Sequence, residues 1–150
     1  MGNAIELYNE DGDIKFGRRL ARDVAFKYIF EWQYGKEEEF EQIETLEGMS
    51  FKDNDKEYIQ NAFEGVRQHL DELDEIIESN IKGWKKERLS KVCLAALRLG
   101  LYEMLYMEDI PISVTINEVV EIVKKYDSPE AGGYANGILG GVQKSLEEKL

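Results

Sequence analysis

The chain has 150 residues, of which 43% are apolar and 33% charged, and its formal net charge is −12. A chain of this size and apolar content is expected to form one domain with one substantial core. No window approaches about 18 consecutive apolar residues, so a membrane-spanning helix is not expected, and the acidic start is unlike a secretory signal. The single cysteine, Cys93, excludes an internal disulfide and fits a reducing cytoplasm.

The negative charge is concentrated in the middle of the chain. Residues 36–80 hold fifteen acids against four bases, whereas residues 81–150 hold ten of each. Near the start, the stretch from Lys15 to Lys27 holds five bases and one acid. A local basic patch on an acidic body fits an RNA-binding protein with a second partner. The alternative is that the acids only keep helix surfaces solvated.

The N-terminal part predicts a lead followed by a helix. Residues 1–14 lack periodicity and end in an Asp-Gly-Asp turn signal, so we interpret them as a flexible acidic lead before a single helical domain over 15–150. Between 18 and 34, apolar residues recur at steps of three and four, which predicts an amphipathic helix that ends at Gly35. A short acidic helix is predicted over 37–46.

The middle of the chain predicts two long helices. Apolar residues at steps of three and four over 57–80 indicate one helix with an acidic outer face, in which Gly65 marks close packing. Residues 85–107 are apolar nearly all round in their second half, which predicts a buried central helix. A loop is expected at 109–111.

Two start signals predict the last helices. Thr115-Ile-Asn-Glu118 fits a capping box, in which the threonine and glutamate side chains satisfy the first backbone amides of a helix that ends near Tyr126. Ser128 followed by Pro129 fits a second helix start, and this helix is predicted to reach about Glu148. No strand-like alternation of useful length occurs, so the sequence predicts an all-α fold, a compact bundle of about six or seven helices.

No pattern in the sequence indicates catalysis. The only histidine, His69, has no cysteine or histidine nearby, whereas a metal site needs several such ligands. Cys93 lies on the apolar helix and is expected to act as a small hydrophobic residue. Abundant carboxylates without a protected cleft do not indicate acid–base chemistry. We therefore expect no enzyme activity, no cofactor and no metal.

The glycines of the last helix do not form a phosphate-binding motif. Their spacing matches neither G-x-x-x-x-G-K-[ST] nor G-x-G-x-x-G after a strand. Gly133, Gly137 and Gly141 are spaced by four and share one helix face. Two interpretations stay open: another helix packs closely there, or an RNA backbone approaches.

The basic cluster at the first helix is the sharper functional signal. Lys15, Arg18, Arg19 and Arg22 straddle the helix start, with Arg18 and Arg22 one turn apart on the same side. Guanidinium groups bind phosphates and stack on bases, but they could equally pair with acids of the same chain. Two tyrosines flank the last turn signal and could stack on RNA bases or cover the core; they are Tyr126 and Tyr134.

Several blocks in order along residues 18–139 resemble the NusB family of bacterial transcription antitermination factors. Each block is weak alone, but together they are specific. They are Arg18-Arg-Leu-Ala-Arg22 with Trp32-Gln33, Arg88-Leu89, Ala96-Leu-Arg-Leu99, Tyr102-Glu-Met-Leu105, Pro111 followed by Thr115-Ile-Asn-Glu118, Lys124-Lys-Tyr126, and Tyr134-Ala-Asn-Gly-Ile-Leu139.

The resemblance implies an all-α fold of two helical subdomains in a bacterial cytoplasmic protein. It implies binding to single-stranded boxA RNA of ribosomal leader transcripts, jointly with NusE, a small-subunit ribosomal protein, in a complex with other Nus factors and RNA polymerase. The implied RNA-binding residues are Arg18, Arg19, Arg22, Lys27, Tyr126 and Tyr134. The alternative is a homodimeric NusB-like protein-interaction module that binds no RNA.

Overall fold

The computed structural model describes residues 17–35, 51–81 and 89–149, and this part of the chain contains helices but no strand. The predicted all-α fold is therefore confirmed. The predicted lead over 1–14, the short helix over 37–46 and the first residues of the predicted helix over 85–107 lie outside the described residues. The helices are α1 (Gly17–Trp32), α2 (Asp53–Gln68), α3 (Leu70–Ser79), α4 (Lys91–Tyr106), α5 (Ile112–Tyr126) and α6 (Pro129–Glu148).

Helix α1 ends where the sequence predicts. Gly35 adopts a φ of 83°, a left-handed conformation that glycine reaches without the steric cost of a Cβ. Its backbone amide donates to the carbonyl of Trp32 at 2.8 Å, which satisfies one of the last carbonyls of the helix. The apolar stripe of α1 faces the core, where Val24 and Ile29 are fully buried.

The prediction of one long helix over 57–80 is wrong, because α2 and α3 are separated at His69. This residue has φ −109° and ψ 19°, outside the helical range. Apolar steps of three and four run through both helices, so their periodicity could not show a break one residue long. The predicted close packing at Gly65 is confirmed, since a Cβ there would overlap the ring of Tyr102.

The predicted start signals of the last two helices have different outcomes. Helix α5 begins one turn before the predicted capping box, and Thr115 is a fully buried residue inside it. The threonine hydroxyl donates to a side chain of α4 instead of capping its own helix. At the start of α6 the prediction is confirmed: the Ser128 hydroxyl accepts from the amide of Ala131 at 3.1 Å, with Pro129 in the first turn.

Helix α4 lies at the centre of the fold, as its apolar sequence predicts. It packs against each of the other five described helices, while α1 pairs with α2 and α5 pairs with α6. The two helix pairs share α4, and one continuous apolar cluster runs through all of them. Among the residues described, no helix is long and apolar enough to cross a membrane. Helices α1 and α5 both pack against α4, and side chains of these two helices also contact each other.

Candidate nucleic-acid interface

Arg22 on α1 lies inside the protein, in a polar cluster that joins four helices. Its guanidinium makes two hydrogen bonds to the carboxylate of Glu103 on α4, at 2.7 and 3.0 Å. The same carboxylate accepts from the hydroxyl of Tyr58 on α2 at 2.5 Å and from that of Thr115 on α5 at 2.9 Å. We call these four residues the buried cluster. Because Glu103 receives four hydrogen bonds, its charge is well satisfied despite complete burial.

The buried cluster shifts the pKa values of Arg22 and Tyr58. Burial lowers the pKa of Arg22, but the hydrogen bond to Glu103 and the negative charges nearby outweigh it, so the net pKa lies above its ordinary value. Burial, and then the negative charge of Glu103, hold the pKa of Tyr58 well above its ordinary value. The cluster therefore consists of an ion pair stabilised by neutral hydroxyl donors.

Arg22, which the resemblance implies as an RNA-binding residue, lies buried in the structure. The side chain of Arg22 is 3% exposed, and its carboxylate partner is completely buried. A phosphate could reach it only by displacing Glu103, which would leave a buried charge without a partner. Arg22 thus joins α1 to the central helix α4 through Glu103.

Arg18 occupies an intermediate position at the edge of the buried cluster. Its guanidinium donates to Asp55 on α2 at 3.1 Å and lies 4.6 Å from the centre of the Tyr58 ring. Arg22 lies 5.7 Å from the same ring, so the prediction that these two arginines share one side of α1 is confirmed. The Arg18 side chain is 33% exposed.

Several exposed cations lie where α1 meets α5. Arg19 is 80% exposed and contacts Glu118 on α5 at 2.9 Å. Lys27 on α1 and Lys125 on α5 approach the carboxylate of Asp23 from two sides, at 3.3 and 3.8 Å. The structure thus brings together bases that are about a hundred residues apart in sequence.

Tyr126 completes this surface. Its hydroxyl donates to Asp23 at 2.9 Å, and its ring stacks on Phe26 of α1 with the centres 5.3 Å apart. The ammonium groups of Lys125 and Lys27 lie 4.9 and 5.9 Å from the centre of the ring. We define the α1–α5 face as Arg19, Asp23, Lys27, Glu118, Lys125 and Tyr126.

Tyr134 lies in a different place, so the structure does not unite the two tyrosines. It is 43% exposed and borders depressions whose described lining residues include Leu89, Ile81 and Gly137 but none from α1. The nearby Gly133 and Gly137 have open space where a Cβ would stand, whereas at Gly141 a Cβ would meet Asn80. The glycine face is therefore open at its start and packed at its end.

The buried partners of Arg22 are not predicted from the sequence. Glu103 is a lone carboxylate on a helix that is apolar all round, and this pattern could have indicated a buried ion pair with a distant base.

Of the residues that the sequence offers for chemistry, Cys93 is buried, and burial raises the pKa of its thiol to about 11. His69 stacks on Tyr106 with the centres 4.4 Å apart. No group of metal-ligating side chains is found among the described residues.

The sequence of the chain is similar to the sequences of one protein family. The model described as NusB family matches residues 19–144. The transcription antitermination protein NusB of Acetivibrio thermocellus is 47% identical over 129 residues, covering 85% of this chain and 89% of the relative. The protein of the same name from Clostridium novyi is 38% identical over 131 residues, covering 85% of this chain and 98% of the relative.

Solved structures agree with the sequence matches. NusB of T. maritima superposes with a TM-score of 0.74 at 36% identity, covering 85% of this chain and 90% of that one. A crystal structure of the antitermination factors NusB and NusE in complex with dsRNA contains a chain that superposes with a TM-score of 0.77 at 30% identity, covering 85% and 96%. From the matched length, the identities and the shared fold together, the chain belongs to the NusB family.

Proposed function

We propose that this protein is a transcription antitermination factor that binds boxA RNA of ribosomal leader transcripts together with NusE. Its relatives carry the name transcription antitermination protein, and one structural neighbour is a complex of NusB, NusE and RNA. The proposal gives the chain a binding role without a catalytic step, in the cytoplasm. The observation that carries it is the α1–α5 face, on which Lys27 and Lys125 lie beside the ring of Tyr126 and Arg19 pairs with Glu118.

The α1–α5 face can exchange its internal ion pairs for phosphates at small cost. Exposed ion pairs contribute only about 0–1 kcal/mol, because water screens them and ordering the side chains costs entropy. Arg19 can therefore leave Glu118 for a phosphate, whereas Arg22 cannot leave Glu103. RNA phosphates replace the carboxylate partners, and release of their counterions drives binding.

The buried cluster supports binding without touching RNA. It ties α1 to α2, α4 and α5 through one carboxylate. Arg19 and Lys27 belong to α1, and Lys125 and Tyr126 belong to α5. The cluster thereby holds the two helices, and so the cations, at a fixed spacing.

Tyr134 forms a second, separate contact in this proposal. Its ring is exposed at the start of α6, beside two glycines that leave room for a sugar-phosphate backbone. We assign it to a stretch of RNA other than the one held on the α1–α5 face. Arg18 contributes through the exposed third of its side chain at the edge of the buried cluster.

The test is a salt series of RNA affinity for wild type and the triple variant Arg19→Ala, Lys27→Ala, Lys125→Ala. Single-stranded boxA, a scrambled RNA and a boxA duplex are compared, each with and without NusE. Each phosphate contact contributes about 0.7 to the log–log salt slope for single strands, so losing three should flatten the slope by about two. Wild type should prefer boxA to the scrambled RNA.

A matched control removes the same charge elsewhere. Lys52, Lys144 and Lys149 are exposed and lie outside the α1–α5 face, so their triple alanine variant should keep most of the salt slope. If wild type shows no preference for boxA even with NusE, the proposed function is wrong. Equal RNA retention by wild type and the face variant would instead favour a protein-interaction module that binds no RNA.

A further inference from the structure

A row of aromatic rings continues from the α1–α5 face along α1. Phe26 stacks on Tyr126, Phe30 follows with its centre 6.0 Å from Phe26, and Tyr34 follows with its centre 5.3 Å from Phe30. Phe26, Phe30 and Tyr34 are four residues apart in sequence, which corresponds to about 6 Å along a helix axis per step. Tyr34 lies in the turn that follows α1. The row leads from the cations at Tyr126 to the last turn after α1.

The far end of this row opens into a depression of about 440 Å³. Its described lining consists of Lys27, Phe30, Glu31 and Tyr34. Tyr34 is 57% exposed, which is unusual for a large ring packed beside a helix, and the ammonium of Lys91 lies 5.8 Å from its centre. The depression thus has two aromatic residues and Lys27 in its described lining, and Lys91 lies beside the Tyr34 ring.

We propose that this depression binds one unpaired base of the same RNA, next to the segment held on the α1–α5 face; the inference rests on the proposed function. A base in the depression stacks on Tyr34 or Phe30, while the phosphates on its two sides meet Lys27 and Lys91. Single-stranded nucleic acid is bound by this combination of aromatic surfaces and cations. Lys27 belongs to both surfaces, so the RNA path is continuous.

Glu31 determines which part of the nucleotide enters. A carboxylate in the depression repels a phosphate, so the base points inward and the phosphates stay at the lysines. The carboxylate accepts hydrogen bonds but donates none, which favours a base with an exocyclic amino group such as cytosine or adenine. The depression therefore adds base preference as well as affinity.

The test compares boxA alone with boxA extended by three unpaired nucleotides, at one end or the other, in the absence of NusE. We expect wild type to bind one of the extended RNAs about tenfold more tightly, in the range measured for stacking of one base on an aromatic side chain. Tyr34→Ala should lose this gain but bind boxA alone like wild type. Tyr34→Phe should keep the gain, because the ring remains.

The matched control is Tyr106→Ala, which removes another exposed tyrosine, on α4, and should keep the gain. The inference is overturned if neither extension adds affinity, if Tyr34→Ala and Tyr106→Ala behave alike, or if the effect of Tyr34 appears only with NusE present. In these cases boxA alone still binds and the proposed function stands. Loss of boxA preference in wild type would remove both.

Discussion

Two ion pairs that join an arginine of α1 to a glutamate have similar distances but differ in how deeply they are buried. Arg22 meets Glu103 at 2.7 Å and Arg19 meets Glu118 at 2.9 Å. The side chains of the first pair are 3% and 0% exposed, whereas those of the second are 80% and 14% exposed. Burial therefore decides that one pair is structural and the other is available to a ligand.

The physical reason lies in the environment of each carboxylate. A buried charge cannot exchange its partner for water, so removing one member leaves a large desolvation penalty. In the Arg19–Glu118 pair the guanidinium faces water and the carboxylate is 14% exposed, so separating the two groups leaves a smaller desolvation penalty. The arginine block at the start of α1 thus has two uses, one that organises the fold and one that faces solvent.

The largest expected effect comes from breaking the buried pair. Glu103→Ala should reduce the free energy of unfolding by about 3–5 kcal/mol, because Arg22 would keep a buried charge without a partner. Urea denaturation followed by circular dichroism measures the change. The corresponding variant of the exposed pair, Glu118→Ala, should stay within about 1 kcal/mol of wild type.

A double variant separates the unpaired charge from lost packing. Arg22→Met with Glu103→Leu removes both charges and keeps similar volume, so it should recover most of the stability that Glu103→Ala loses. If the double variant is as unstable as the single one, the cost lies in packing or in the hydroxyl donors. The stability difference between variants of the buried pair and of the exposed pair would then reflect packing and not charge.

A smaller effect is expected from the hydroxyl of Tyr58. Tyr58→Phe removes one donor to Glu103 and should cost about 1–2 kcal/mol near neutral pH, where the wild-type hydroxyl is protonated. The raised pKa of Tyr58 gives the sign of the pH dependence. Its contribution is complete below the unfolded pKa of about 10 and is lost as pH rises toward the folded pKa.

The stability gap between wild type and Tyr58→Phe should therefore narrow above about pH 10. Urea denaturation at several pH values from 8 to 11 measures it. The charged groups that face the hydroxyl are Glu103, Arg22 and Arg18. A gap that widens with pH would mean that the phenolate form is favoured by the arginines instead of being disfavoured by Glu103.

The sequence predicts local interactions of the fold better than contacts between residues that are distant along the chain. Local signals worked where one residue satisfies a neighbouring backbone group, as at Ser128 and Gly35. Periodicity found the buried central helix. The prediction for Thr115 is wrong because the local capping signal competes with a distant buried carboxylate, and sequence spacing carries no information about which partner is nearer in space.

The candidate site shows the same limit. The sequence identifies the arginine block and leaves open whether its members pair with RNA or with internal acids. Arg22 and Arg19 differ by three positions on one helix, and only the packing of α2, α4 and α5 around α1 decides which of them is buried. Tyr126 and Tyr134 flank one turn, yet the structure places only Tyr126 against α1.

The smallest expected effect sharpens the comparison from the exposed side. Glu118→Gln removes the carboxylate that competes with RNA phosphates for Arg19, so it should raise boxA affinity a few-fold while changing stability by less than about 0.5 kcal/mol. Glu121→Gln is the matched control: it removes the same charge from α5 at a residue that pairs with Lys124.

If both variants raise affinity equally, the gain reflects long-range electrostatic attraction. Salt should limit such a gain, because charges are screened beyond about 8 Å at physiological ionic strength. If the gain persists in an Arg19→Ala background, Glu118 does not act through Arg19. A weaker affinity in Glu118→Gln would show that the carboxylate orients the guanidinium toward the RNA instead of withholding it.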